Sequence, residues 1–573
     1  MAKDYSLIIR NGLVADGRGS PLVKADIAVT GAKIARVGDV PAGATADREI
    51  DAKGMLVTPG FVDIHTHYDG QATWENRLVP SSWHGVTTVV MGNCGVGFAP
   101  VRREDHEKLI QLMEGVEDIP GTALHDGLSW EWESFPDYLD LLESRAFDVD
   151  IGTQIPHGPL RLYVMGERAR RLEEATPADC AQMRELVREG IEAGALGFST
   201  SRSVRHKSIT GDMIPSYRAT EEELMEIALA MKEAGSGVLE WVSDYSPEER
   251  DAEYAMIHRL VERSGRPLSV NIGQVYSNPQ GWRDTLTMVE RGQAKGLQLK
   301  GQAAPRPVGH LLGLCSSLPP FNHCPSYQAI ADKPLAEQVE LLRDPAMRRT
   351  IIAEADANKA GYALGRLFPL GDRPDYAKDP QNSIEAIAKR EGRPANEIIY
   401  DEMLVDEGRN MLFHAMANYL QFDYSDLRTM VTHPHTVLGL GDGGAHVGTI
   451  SDASFTTTFV TIWGRDWAKS EHDLTDAIRR QTSATAEWVG LHDRGVIAPG
   501  MKADFNIIDL DKLAVEKPYM ANDLPSGAKR LLQKARGYVM TILSGVPTYC
   551  DGEATGELPG KLIRGPQPTA AMS

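Results

Sequence analysis

Apolar and polar positions follow two rhythms along this chain. Near both ends the period is two. Residues 6–10 read as a strand that turns at Asn11-Gly12, and residues 25–29 and 33–37 flank a turn at Gly31. Residues 495–509 and 539–545 again read as turn and strand. Such short strands carry little core alone, so each end needs a partner. Between them, eight apolar runs are expected as strands: 56–64, 86–93, 149–155, 195–200, 238–242, 268–272, 297–303 and 437–441. Helical spacing falls between most of them, as at 178–193 and 221–234, where Thr220 before Glu223 marks a capping box. Strand–helix alternation predicts an α/β fold with a parallel sheet, and eight units predict a (β/α)8 barrel. In such a barrel the chemistry lies just past the C-terminal strand ends. The gap between the seventh and eighth strands, about 308–430, is too long for one crossover. It reads as an inserted helical subdomain, either a lid over the barrel mouth or a plain decoration. The tail after Gly560 reads as a loose end or an arm.

Composition narrows the class. The 573 residues are 42% hydrophobic and 24% charged, as in a soluble globular protein. A formal net charge of -20 opposes nucleic acid binding and fits a soluble enzyme, without naming its small-molecule substrate. Five cysteines make no disulfide framework, which points to a reducing compartment. Met1-Ala2-Lys3-Asp4 begins no signal peptide, and no apolar run is long enough for a membrane span, so the expected location is cytoplasmic. Homo-oligomerisation stays open.

Three strand ends carry candidate chemistry. The first run ends Asp63-Ile64-His65-Thr66-His67. Alternation puts His65 and His67 on one face, within reach of one metal ion. The eighth ends Gly441-Asp442-Gly443-Gly444. A carboxylate there is able to hold a metal and to take a proton from water, although Asp-Gly alone is also an ordinary turn. The second ends Gly92-Asn93-Cys94-Gly95. A thiolate is a good zinc ligand, and a small buried thiol is the alternative.

The run Pro59-Gly60-Phe61-Val62-Asp63-Ile64-His65-Thr66-His67 resembles the PGxxDxHxH motif of the amidohydrolase superfamily. With Gly-Asn-Cys-Gly on strand two, the chain is most similar to its N-acyl-D-amino-acid deacylases, the D-aminoacylases. The resemblance implies a small β-sandwich built from both chain ends beside the barrel. The expected domains are then 1–58 for the first part of the sandwich, 59–494 for the barrel with its insertion, and 495–573 for the second part and the tail. It also implies metal ligands His65, His67, Asp442 and Cys94, with Asp442 as general base and acid. Part of the family pattern is missing. Its two histidines on strands five and six are absent, as is a lysine on strand six, and a Tyr-Pro-Tyr signature is replaced by Ala304-Pro305-Arg306-Pro307. Glu240 is a possible replacement ligand, or else a salt-bridged acid. Asn271 is a candidate hydrogen-bond donor to substrate.

Other residues near strand ends are candidates for substrate binding. His157 would orient a carbonyl. Arg202, Arg205 and Arg306 would take a carboxylate in place of the missing lysine. His206 lies beside Arg205, and His446 would steady Asp442. His433 and His435 read as structural, and His323-Cys324 lacks the second pair that a structural zinc needs. Ligand counting favours one ion, zinc by its Cys and His donors, with Mn, Co or Fe also compatible. The expected reaction is hydrolysis of a linear amide of an N-acyl amino acid by metal-activated water. The alternatives are a cyclic amidase or lactonase, for which strand two should carry Lys rather than Cys94, and a non-catalytic binding relative that has lost part of the metal site. A structural or assembly role finds little support in so many site-like strand ends.

Overall fold

The computed structural model describes residues 3–358 and 361–569, so Met1 and Ala2 of the N-terminal segment lie outside it. Eight parallel strands stand in sequence order: β1 (Phe61–Asp63), β2 (Val86–Met91), β3 (Asp150–Pro156), β4 (Gly197–Arg202), β5 (Val238–Ser243), β6 (Leu268–Ile272), β7 (Leu299–Ala303) and β8 (Thr436–Leu438). The ring closes beyond the ends of β1 and β8. Thr66 bridges Gly443, the His67 amide donates to the Gly443 carbonyl at 2.7 Å, and the Asp442 amide donates to the His65 carbonyl at 3.1 Å. The residues that shut the barrel are thus those flagged for chemistry. β2 and β3 are buried along their whole length, as strands covered on both faces must be.

Helices Pro177–Ala193, Glu221–Ala234 and Arg250–Ser264 cover the ring from outside. On the second, the Thr220 hydroxyl accepts from the Glu223 amide at 3.4 Å, but the Glu223 carboxylate turns to His157. Only half of the expected capping box forms, because a buried histidine outcompetes the cap.

The apolar run 56–64 is two strands rather than one. Leu56–Pro59 pairs antiparallel with Phe505–Ile508, whereas β1 pairs with β2. Gly60 sits at the switch. Its amide donates to the Asp504 carbonyl at 3.0 Å, and a Cβ there would run into the Thr87 side chain. The chain ends meet as expected, in one mixed nine-stranded sheet. Its long strand Tyr5–Val14 bulges between Ile9 and Gly12 and changes partner there, from Ala46–Asp51 to Leu56–Pro59. Leu7, Ile9, Ile27, Val57, Phe505 and Ile542 share one apolar core across both ends.

Of the tail after Gly560, residues 561–569 form an arm pinned to the entrance of β3, and residues 570–573 lie outside the described residues. The Ile563 amide donates to the Ile151 carbonyl at 2.7 Å, and the Gln567 amide to that of Gly490 at 2.9 Å. The segment between β7 and β8 is not purely helical. Val308–Leu312, Leu412–Ala417 and Leu367–Pro369 form an antiparallel sheet, and helices such as Pro345–Ala357 and Ala395–Leu404 enclose a separate core of Leu342, Ile351, Ile399 and Tyr400. It touches the loop after β8 where the Leu311 amide donates to the Thr449 carbonyl at 2.7 Å. Among the described residues, no helix is long and apolar enough to cross a membrane.

Candidate metal centre

The C-terminal strand ends bring four donor side chains together. His65 Nε2 stands 3.3 Å from Cys94 Sγ and 3.4 Å from Asp442 Oδ1, and His67 Nε2 stands 3.7 Å from the same oxygen. His65, His67 and Cys94 each offer an atom within 4.8 Å of the others. Donors sharing one tetrahedral ion, with bonds of roughly 2.0–2.3 Å, stand about 3.3–3.8 Å apart. The spacing therefore suits one ion. Two of the donors are carried on left-handed backbone, Cys94 at φ 54° and Asp442 at φ 49°. Side chains other than Gly, Asn and Asp rarely adopt that region, so tertiary contacts hold Cys94 there.

Protonation also fits. Burial drives His65 to about 4 and His67 to about 3, leaving both rings neutral. His65 Nδ1 lies 2.6 Å from Gln302 Oε1. A carbonyl oxygen only accepts, so the proton sits on Nδ1 and the Nε2 lone pair faces Cys94 and Asp442.

Around the donors lies a group of buried acids. Asp63 and Glu240 are both pushed up to about 8, mainly by burial and then by the charge of Asp442. Asp69 rises to about 7 through burial, and Glu117 well above its ordinary range through burial and the charges of Asp442, Asp69 and Glu240. Burial, then the charges of Glu240, Glu117 and Asp442, push the Cys94 thiol up. Among the described residues, no Lys or Arg pairs with any of these five acids. One Asp63 oxygen has no partner at all. Buried acids without a cation are costly, and a divalent ion among these donors would relieve them. The residues present thus fit a bound metal.

The remaining candidates part company. Glu240 stands beside the centre. One oxygen accepts from the Cys94 amide at 3.0 Å, and the other is 3.9 Å from His65 Nδ1. His206 Nδ1 pairs with the Ser201 hydroxyl at 2.8 Å, and burial, then neighbouring His67, lowers the ring to about 4. His446 lies 3.7 Å from Glu117. Arg205 is exposed at the same loop, 3.9 Å from Asp244. His157 is spent internally, with Nδ1 on Thr200 at 2.8 Å and Nε2 on Glu223 at 2.7 Å, so it has no N–H left for a substrate carbonyl. Arg306 is buried over the Tyr376 ring and bonded to Asp452, Ser454 and the Ser451 carbonyl. Arg202 serves Glu253 and the Ala219 carbonyl, and Asn271 serves the Ser243 backbone. These side chains have the right chemistry, but partners inside the fold already use it. His433 pairs with Glu290 at 3.1 Å.

Two neighbours of the centre escaped the sequence reading. Gln302 lies in β7 and looked like an ordinary strand residue. Glu117 ends the helix His106–Glu117, where a glutamate normally faces water. The only available signal was an acid at a position that the helical stripe places inward, after Leu109, Ile110, Met113 and Val116.

The family model for amidohydrolases matches residues 48–549. D-aminoacylase of Alcaligenes xylosoxydans xylosoxydans is 31% identical over 302 residues, which span 51% of this chain and only 56% of that protein. The N-acyl-D-aspartate deacylase of the same organism is 26% identical over 97% of this chain and 94% of its own. Among solved structures, a D-aminoacylase studied for its binuclear metal centre aligns with a TM-score of 0.64 at 24% identity, over 98% of this chain and 100% of that one, a likeness of fold.

Proposed function

This chain belongs to the amidohydrolase family and is a metal-dependent hydrolase of carbon–nitrogen bonds other than peptide bonds, and on that premise we propose that it cleaves the linear amide of an N-acyl amino acid at a centre holding one zinc ion. The observation that carries this is the convergence of His65, His67, Cys94 and Asp442 inside a group of acids with no Lys or Arg partner among the described residues. His65, His67 and Asp442 would hold the ion, with Cys94 as a further donor. The thiol favours zinc over harder cations. When bound, a divalent cation supplies Lewis acidity at an amide carbonyl and makes water acidic enough to react near neutral pH.

The chain's own groups do the rest. Asp442 keeps part of its side chain exposed, 22%. It accepts the proton of the attacking water on a carboxylate oxygen and returns it to the leaving nitrogen. Gln302 holds His65 in the tautomer that leaves Nε2 bare. Arg205 and His206, on the loop after β4, would receive the substrate's carboxylate: Arg205 has only a 3.9 Å pair with Asp244, whereas Arg202 and Arg306 are hydrogen-bonded inside the fold. One relative is by its name a deacylase of N-acyl-D-aspartate, so the D series is the first to test.

The test begins with metal content per chain, measured by mass spectrometry on protein made without chelator. One zinc is expected, lost in His65→Ala and in Asp442→Ala. Zinc-loaded protein is then offered N-acetyl-D- and N-acetyl-L-aspartate, glutamate and methionine. Hydrolysis in one stereochemical series is expected. Two ions per chain would overturn the single-ion centre, and metal-replete protein inert on both series would overturn the substrate class.

A further inference from the structure

Glu117 makes contacts that no ordinary helix end needs. Its side chain is only 2% exposed. Oε1 stands 3.5 Å from His67 Nδ1, and Oε2 stands 3.7 Å from His446 Nε2. His67 Nδ1 is buried and has no hydrogen-bond partner. The backbone at the same point grips the loop after β8. The Glu117 carbonyl accepts from the His446 amide. Asp118 turns left-handed at φ 52°, and its Oδ2 accepts from the Gly448 amide and the Thr449 hydroxyl, both at 3.2 Å. Two adjacent residues therefore hold one His of the HxH pair and the loop that begins at Asp442.

We propose that Glu117 is a positioning residue: it fixes the proton of His67 on Nδ1, leaves Nε2 bare toward the metal, and ties the Asp442 loop to that ring. The inference rests on His67 being a metal ligand, as proposed above. A neutral imidazole carries one proton and ligates only through its bare nitrogen. An acceptor oxygen beside Nδ1 draws the proton there and leaves Nε2 free as the donor. The two histidines thus have different supports, the amide oxygen of Gln302 for His65 and a side-chain oxygen of Glu117 for His67.

The test uses the full-length protein stripped of metal. Zinc affinity is measured by competition with a chromophoric chelator, and the absorption of the cobalt(II) form reports the ligand field. Glu117→Ala is expected to weaken zinc binding by about 10–100-fold and to alter the cobalt spectrum. Glu117→Gln, whose amide oxygen still accepts from Nδ1–H, is expected to recover most of that loss, which a purely structural role would not require. Wild-type affinity in Glu117→Ala, with zinc lost in His67→Ala, overturns this inference and leaves the ligand assignment standing. Unchanged affinity in His67→Ala overturns both. If Glu117→Ala does not fold, Glu117→Asp decides: its carboxylate is drawn back by one methylene, and wild-type affinity there also overturns the proposal.

Discussion

Asp150 and Glu240 are both acids buried in the same ring of strands, yet their surroundings are opposite. Asp150 opens β3, at the N-terminal end of the barrel. Arg494 and Lys502 reach its Oδ2 at 2.7 and 2.9 Å, and the Lys561 amide donates to Oδ1 at 3.0 Å. Burial would raise this carboxyl, but Lys502 and Arg494 outweigh it and hold it below the ordinary 3.8. Glu240 lies in β5, with the Cys94 amide as its hydrogen-bond donor and, among the described residues, no Lys or Arg partner, and it is pushed up to about 8. One end of the barrel pairs its buried charges. The other leaves them unpaired around His65 and His67. The first arrangement serves the fold and the second awaits a cation, the division expected of a barrel whose C-terminal face carries the chemistry. The difference also separates charges that stabilise from charges that bind, although both look alike in the sequence.

Four experiments break or sharpen this comparison. The largest effect is expected at the unpaired end. Asp442→Asn should lower kcat/KM by about 10²–10⁴-fold, the usual worth of a positioned base, with the fold intact by circular dichroism. A loss below tenfold would remove Asp442 from the proton transfer. At the paired end, Asp150→Asn leaves Arg494 and Lys502 facing a neutral group. It should cost about 3–5 kcal/mol in urea unfolding while metal content stays at the wild-type value.

Glu240→Gln reverses that pattern. It should weaken zinc binding by about 10–100-fold, while the metal-free protein is no less stable than wild type, because a costly buried acid has been removed. If Glu240→Gln destabilised metal-free protein as much as Asp150→Asn does, the two ends would not differ as argued. The smallest effect is one of pH. An acid whose folded pKa is depressed contributes stability that is fully present above its unfolded value and is lost as pH falls through the folded value. Asp150 is such an acid, so the stability gap between wild type and Asp150→Asn should close as pH drops below 3.8. Urea midpoints measured down this limb decide it, and a gap that persists at the acid end would trace to packing instead.

Much of the centre was legible in the sequence. Alternation placed His65 and His67 on one face, Asp442 stood between glycines at a strand end, and Gly-Asn-Cys-Gly drew attention to Cys94 by resemblance. The eight apolar runs found all eight barrel strands, though β8 ends at Leu438 rather than 441, because Leu440 and Asp442 adopt left-handed backbone. The split at Gly60 was not legible, since both sides of it are equally apolar and only different partners separate them. Nor were the roles of His157 and Arg306. Their side chains promise a donor to substrate, but Glu223 and Asp452 claim it.

What the sequence determined by itself is local: period, strand order, and which residues reach the face where β1, β2 and β8 end. Short-range geometry dictates these, because side-chain direction repeats every two residues in a strand. What only the tertiary structure decided is partnership. Gln302 meets His65 across 237 positions, and Arg494 meets Asp150 across 344. Whether a buried acid is neutralised or left to attract a metal depends on which distant side chain arrives beside it, and no local rhythm records that.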